Sequence, residues 1–183
     1  MARQRKPSKG RKINPTYFIF CEGKTEVAYI NFLKRKYRIS SIQIHAAEKG
    51  NNITKQYIEN FKQNKFTDSE DLDFLLYDLD APGMEERLSA ISDTILLASN
   101  PCIELWFLLH LKNQTANIDS KTCIREIENR CKGYNKGIIC EKLFDKLVEA
   151  EDKAIARAKE LNNLGNPSSS IYLLLEKLKS FNK

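Results

Sequence analysis

The segment YFIFCEGKTE, residues 17–26, decides the fold because it joins a buried strand to the start of a helix. The apolar run Tyr17–Phe20 is short and uninterrupted, which favours a strand in the interior of a sheet. Gly23 permits a tight turn after the strand, and Val27 begins an apolar stripe with helical spacing. The segment therefore predicts the first strand–helix unit of an α/β domain.

The same alternation continues through the first half of the chain. Strands are predicted at 16–21, 41–46, 71–78 and 93–98, and helices at 25–37, 51–66 and 84–91. Beyond Ala98 the pattern predicts only helices, at 101–111, 119–130, 140–149, 151–163 and 169–181. The predicted fold is thus α/β, with a roughly four-stranded, mainly parallel sheet, right-handed crossovers, flanking helices and a helical C-terminal half. Residues 14–183 are predicted to form one domain, whose helical extension covers about 112–183.

Composition places the chain among globular proteins, since 42% of the residues are apolar and 30% are charged. Trp106, the only tryptophan, is predicted to lie in the core. The longest apolar runs, such as 103–111, are too short to span a bilayer. No apolar segment follows the basic N-terminus as in a signal peptide, so a cytoplasmic location is expected. Five irregularly spaced cysteines and two histidines argue against a disulfide framework and a zinc site.

The net charge of +6 is concentrated at the N-terminus. The first twelve residues hold six basic side chains and no acidic one, whereas the rest of the chain is balanced, with 24 of each sign. These basic side chains are Arg3, Arg5, Lys6, Lys9, Arg11 and Lys12. A flexible basic tail over residues 1–13 suits the phosphate backbone of a nucleic acid, although a merely solubilising terminus explains the charge equally well.

Two acidic clusters follow two of the predicted strands. Glu22 and Glu26 come after the first strand, and Asp78 and Asp80 come at the end of the third. Because the carboxyl ends of parallel strands share a crevice, where open α/β sheets bind ligands, the four carboxylates are expected to lie together. Such a cluster suits Mg²⁺ or Mn²⁺, which prefer oxygen ligands. The alternative is ordinary structure, with the glutamates capping a helix and the aspartates forming a polar strand end.

The segment SNPCIELW, residues 99–106, follows the fourth predicted strand and therefore belongs to the rim of the same crevice. Ser99 or Asn100 can cap a helix that begins near Pro101. Glu104 then lies in the first turn of that helix, beside the other acids. Ser99 and Asn100 are also candidate contacts for nucleic acid.

Two later segments offer further polar contacts. NPSSS, residues 166–170, is predicted to cap the last helix, although Ser168 could also bind a phosphate there. The loop 132–137 is basic and contains an aromatic residue, so its Lys136 is a candidate contact for nucleic acid. A solvated loop without a partner has the same composition.

Taken together, four segments resemble the RloB-like proteins, a Toprim-related family of bacterial phage-defence and restriction loci. They are CEGKTE at 21–26, the Asp78–Asp80 pair, SNPCIELW at 99–106 and NPSSS at 166–170, in this order along nearly the whole chain. The resemblance implies a Toprim-like fold in which Glu22, Asp78 and Asp80 bind Mg²⁺ for phosphoryl chemistry. It also implies that Glu26 and Glu104 are additional acids of the site.

The function expected from the resemblance together with these residues is that of a Mg²⁺- or Mn²⁺-dependent nuclease acting on RNA, including tRNA, or on DNA. Glu26 or Glu104 would complete a second metal site or act as general base, and Lys24 would stabilise the charge of the transition state. The resemblance implies a role as effector in phage defence by abortive infection, beside an AAA/ABC-type ATPase. The alternative function is a non-catalytic module that binds nucleic acid or docks on the ATPase. A third hypothesis is another phosphoryl-transfer or nucleotide-binding activity at the same site. Assembly into a homo-oligomer is compatible with each of them.

Overall fold

A computed structural model describes residues 15–38, 43–48, 50–65, 67–162 and 164–180. The basic tail predicted at residues 1–13 lies outside these ranges. The strands of the central sheet are β1 (Thr16–Cys21), β2 (Gln43–Glu48), β3 (Leu72–Asp78), β4 (Thr94–Asn100) and β5 (Ser168–Ser169). Their order in the sheet is β2-β1-β3-β4-β5, and the first four run parallel while β5 is antiparallel to β4.

Eight helices are present within the described ranges, and the predicted fold class is confirmed as a mostly parallel open sheet flanked by helices. The helices are α1 (Lys24–Tyr37), α2 (Lys55–Lys62), α3 (Met84–Ser89), α4 (Ile103–Leu111), α5 (Ser120–Arg130), α6 (Glu141–Glu149), α7 (Glu151–Lys159) and α8 (Tyr172–Ser180). In the part of the chain that the structure describes, none of them is long and apolar enough to cross a membrane.

Both faces of the sheet are covered, which explains the uninterrupted apolar runs in β1 and β3. On one face, Tyr17 and Ile19 of β1 belong to a large core shared with α1 and the helices of the C-terminal half. On the other face, Phe18 and Phe20 pack with apolar side chains of α2, α3 and the preceding loop. Alternate residues of one strand therefore serve two separate cores.

Helix α4 lies inside the larger core, and its residues from Ile103 to His110 are all buried. A helix that is apolar on every side is expected in the interior of a domain. Trp106 is completely buried, as predicted, and its indole N–H donates a hydrogen bond to the Tyr29 hydroxyl at 2.7 Å. This hydrogen bond ties α4 to α1 within the larger core.

The prediction that strands end after Ala98 is wrong. Ser168 and Ser169, predicted to cap the last helix, instead form β5, which pairs with Asn100 and Ser99 of β4. The last helix begins only at Tyr172. The Ser99 and Ser169 hydroxyls lie 3.0 Å apart, and the Ser170 hydroxyl accepts a hydrogen bond from the Ala98 N–H at 2.8 Å. Ser99, Ser169 and Ser170 therefore provide side-chain hydrogen bonds at this edge of the sheet.

Candidate functional site

The strand order creates a crevice at the carboxyl ends of β1 and β3. From β1 the chain turns to β2 on one side and then crosses to β3 on the other, which makes this edge the switch point where open α/β sheets bind ligands. The Glu22 N–H donates to the Leu76 carbonyl at 3.1 Å, so the two strand ends stay paired beyond the sheet. Glu22 and Glu26 come just after the end of β1, and Asp78 and Asp80 lie at and just beyond the end of β3.

Glu22 connects the two strand ends through its side chain. The carboxylate is half-buried, and its Oε2 accepts a hydrogen bond from the Asp78 N–H at 2.9 Å. Burial raises the pKa of Glu22, the Asp78 N–H lowers it in part, and the charge of Asp80 raises it further. A cation bound nearby would therefore favour the charged form of the Glu22 carboxylate.

Glu26 lies in the first turn of α1 and is buried. Its Oε2 accepts a hydrogen bond from the Gly23 N–H at 2.8 Å, which is the capping role considered as the alternative. Burial raises the pKa of Glu26, and the neighbouring charges of Glu22 and Glu104 act in the same direction. Glu26 therefore caps the helix and belongs to the acidic cluster as well.

Asp78 ends β3, and its side chain is hydrogen-bonded to the start of α4. Its Oδ1 accepts a hydrogen bond from the Ile103 N–H at 2.8 Å. Burial raises the pKa of Asp78 well above its ordinary value, and the charges of Glu26, Glu22 and Glu104 add to this effect. Like charges held together at this strand end oppose ionisation of Asp78 in the absence of a compensating cation.

Glu104 is the most deeply buried acid of the group, with no exposed surface. Its Oε1 accepts a hydrogen bond from the Tyr134 hydroxyl at 2.7 Å and lies 4.0 Å from the Lys136 Nζ. Its Oε2 has no hydrogen-bond partner among the described residues. An unpaired buried carboxylate oxygen costs free energy of folding. A cation or a water molecule bound at this oxygen would remove that cost, which makes the position a candidate ligand site.

These acids line one cavity of about 420 Å³, called the acidic pocket below. Its carboxylates are Glu22, Glu26, Glu48, Asp78 and Glu104, and its cations are Lys24 and Lys136. A larger cavity, of about 540 Å³, lies at the amino ends of β3 and β4. Two of the acids there are paired, in the Lys62–Asp73 and Lys55–Asp93 ion pairs. The acidic pocket is the better candidate because it combines an excess of charge with an unpaired oxygen.

The other predicted contacts lie apart from this pocket or at its rim. Asp80 is exposed and is not part of the lining, whereas Lys24 is exposed at the rim. Ser99 and Ser168 are buried at the β4–β5 seam, and Asn100 donates a hydrogen bond to the Leu164 carbonyl. These three side chains therefore occupy structural positions at the seam. Their binding of nucleic acid remains a prediction, as does that of the basic tail.

Sequence reasoning missed three lining or supporting residues, namely Glu48, Asn51 and Tyr134. Glu48 ends β2, so the same strand-end rule would have found it if that strand had been placed at 43–48 instead of 41–46. Tyr134 was visible only as the aromatic residue of a basic loop. Nothing local in that loop indicates that its hydroxyl reaches Glu104, thirty positions away.

The donor set fits a hydrated Mg²⁺ or Mn²⁺ ion. Among the residues that the structure describes, no group of three or more His, Cys, Asp or Glu side chains is pre-arranged around a metal position. Mg²⁺ usually keeps several waters and takes only one or two carboxylates, which Glu22 and Asp78 can supply. Glu104 Oε2, which has no hydrogen-bond partner among the described residues, would be available to accept a hydrogen bond from such a water.

The raised carboxyl pKa values predict a distinctive pH dependence of stability. The folded chain holds protons on Asp78, Glu22 and Glu26 at pH values where the unfolded chain has released them. These groups therefore lower the free energy of unfolding as pH rises from about 4 through their raised pKa values. We expect Asp78→Asn to become increasingly stabilising over that range in metal-free buffer, as measured by urea denaturation.

Added Mg²⁺ should reduce this gain, because a bound cation favours the ionised wild-type pocket. A difference in stability between Asp78→Asn and wild type that stays constant with pH would contradict the coupling of these carboxyl groups.

Comparisons with known proteins bear on the whole arrangement. No curated protein and no solved structure matches the chain. A family model described as RloB-like protein matches residues 17–178, which include both acidic clusters and all thirteen described strands and helices except the ends of the first and last. The chain therefore belongs to the RloB-like family.

Proposed function

We propose that the chain is a Mg²⁺- or Mn²⁺-dependent nuclease that cleaves RNA, including tRNA, or DNA as the effector of a bacterial phage-defence system. The observation that carries the proposal is the acidic pocket, where five carboxylates meet at the switch point of the sheet and one buried oxygen has no hydrogen-bond partner among the described residues. Membership of the RloB-like family supports it, as does the presence in this pocket of Glu22 and Asp78, two of the three residues that the Toprim-like resemblance implies as metal ligands.

In this mechanism Glu22 and Asp78 would hold the metal, and the exposed Asp80 would be a further candidate ligand. The bound ion would act as a Lewis acid on the scissile phosphate and activate a water molecule. Glu26, whose pKa is raised by burial, is suited to accept a proton from that water, which is the role of a general base. Lys24 at the rim stabilises the developing negative charge.

The basic tail supplies non-specific affinity for the phosphate backbone, which falls steeply as salt increases. An AAA/ABC-type ATPase is the proposed partner that controls this activity in the cell. This partner is inferred from the resemblance to the RloB-like family.

A non-catalytic module is the second candidate, and one observation favours it. Glu22, Glu26 and Asp78 each accept a backbone hydrogen bond, so all three have a structural use without any metal. In that case the chain would bind nucleic acid or dock on the ATPase, and the acids would hold the strand ends and helix starts together.

Calorimetric titration with Mg²⁺ and Mn²⁺ separates the two candidates. We expect wild type to bind and Asp78→Asn to bind at least about tenfold more weakly, because a charged ligand is lost while the asparagine oxygen still accepts from the Ile103 N–H. Asp145→Asn is the matched control, since Asp145 is an exposed aspartate of α6 outside the pocket.

The titration is repeated with a phosphorothioate oligonucleotide, so that a site completed by nucleic acid is also detected. Binding by neither wild type nor the control, with or without the oligonucleotide, would rule out autonomous metal-dependent catalysis by the chain and favour the docking module.

A further inference from the structure

A tight turn carries Lys136 over the acidic pocket. Asn135 and Ile138 form an antiparallel bridge, and the Ile138 N–H donates to the Asn135 carbonyl at 3.0 Å. Gly137 has φ of +83°, which the second central position of a type II turn requires and which other residues rarely adopt. A Cβ at position 137 would also lie 3.3 Å from the Lys24 Cβ. The conformation of the turn is therefore closely defined.

Hydrogen bonds on both sides of Lys136 tie this turn to the elements that form the pocket. Before it, the Tyr134 hydroxyl donates to the buried Glu104 of α4 at 2.7 Å. After it, the Gly137 N–H donates to the Thr25 hydroxyl of α1 at 3.0 Å. The backbone of Lys136 is thus held in place between two helices, whereas its side chain is largely exposed.

The ammonium group of Lys136 is held loosely, although it faces a strong negative field. Its Nζ lies 4.0 Å from the Glu104 Oε1, at the outer limit of an ion pair, and 58% of its side chain is exposed. By contrast, the Lys62 Nζ in the larger cavity lies 2.9 Å from both carboxylate oxygens of Asp73. Burial lowers the pKa of Lys136, but the charges of Glu104, Asp78 and Glu26 raise it overall.

We propose that Lys136 is a built-in counter-ion of the acidic pocket, which a divalent cation must displace in order to bind. The ammonium compensates the carboxylates of the metal-free protein, and its exposed, flexible stem lets it leave the pocket when the metal enters. This inference rests on the metal binding proposed above. It adds a competing cation to that site, so the affinity for metal is set by Lys136 as well as by the ligands.

Removal of the charge should therefore tighten metal binding, an effect opposite to the loss of a ligand. We expect Lys136→Gln to bind Mn²⁺ about tenfold more tightly than wild type in calorimetry, since a positive charge near the ion is removed. Lys136→Arg, which keeps the charge, should resemble wild type. Lys132→Gln is the matched control, because Lys132 is an exposed lysine of the same loop that does not line the pocket.

A second measurement uses thermal unfolding followed by circular dichroism, which also verifies that each variant folds. In metal-free buffer Lys136→Gln should melt at a lower temperature than wild type, because the carboxylates lose their counter-ion. Saturating Mn²⁺ should raise its melting temperature by more than it raises that of wild type.

The outcomes distinguish this inference from the proposed function. If wild type binds Mn²⁺ and Lys136→Gln binds equally or more weakly, the counter-ion role is overturned while the metal site stands. If only Lys136→Gln binds, the lysine excludes the metal from the resting protein and the inference is supported. If neither binds, both the inference and the metal-dependent function fall.

Discussion

Replacing Asp78 by asparagine is expected to slow metal-dependent phosphodiester cleavage by about a thousandfold or more while the fold is retained. A metal ion supplies several kcal/mol of stabilisation to the charge of a phosphoryl-transfer transition state, and each 1.36 kcal/mol corresponds to a factor of ten in rate. Asparagine keeps an oxygen for the hydrogen bond from the Ile103 N–H, so the start of α4 should not move. The change isolates the negative charge at the end of β3.

Single-turnover cleavage of labelled tRNA and DNA at saturating Mn²⁺ measures this effect. Asp145→Asn should cleave like wild type, and Asp80→Asn should lose less activity than Asp78→Asn, since Asp80 is exposed and does not line the pocket. Equal rates for wild type and Asp78→Asn would show that any cleavage occurs without the acidic pocket. A larger loss for Asp80→Asn would instead make the exposed aspartate the principal ligand.

The crevice could be predicted from sequence because its determinants are local. An apolar run such as Tyr17–Phe20 indicates a parallel strand, and the residues after the run fall at the carboxyl edge of the sheet. Glu22 and Asp78 were placed by this rule, and the structure joins them through a hydrogen bond from the Asp78 N–H to the Glu22 carboxylate. No knowledge of distant contacts was needed for that step.

Features that depend on contacts between distant segments could not be predicted. Strand β5 exists because Ser169 pairs with Ser99, seventy positions earlier. A two-residue strand has too little pattern to be recognised, and the serines of 168–170 have the composition of a helix cap. The Tyr134–Glu104 and Gly137–Thr25 hydrogen bonds are of the same kind, since they depend on where the chain returns to the pocket.

Helix α4 links the core to the pocket, and Trp106→Ala is accordingly expected to destabilise the protein by about 3–5 kcal/mol, the usual cost of truncating a fully buried aromatic residue. The substitution leaves a large cavity and deprives the Tyr29 hydroxyl of the indole N–H that donates to it. The same helix presents the Ile103 N–H to Asp78 and carries Glu104. Loosening of α4 should therefore weaken Mn²⁺ binding as well as stability.

Urea denaturation followed by far-ultraviolet circular dichroism measures the stability, because the substitution removes the only tryptophan and with it the fluorescence signal. Ile138→Ala is the control, since Ile138 is 57% exposed and its truncation should change stability by no more than about 0.5 kcal/mol. Tyr29→Phe separates the hydrogen bond from the cavity, with an expected loss of about 1–3 kcal/mol from the orphaned indole N–H. If Trp106→Ala lost stability but kept wild-type Mn²⁺ affinity, the pocket would be held by the strand ends alone, and α4 would serve only as core.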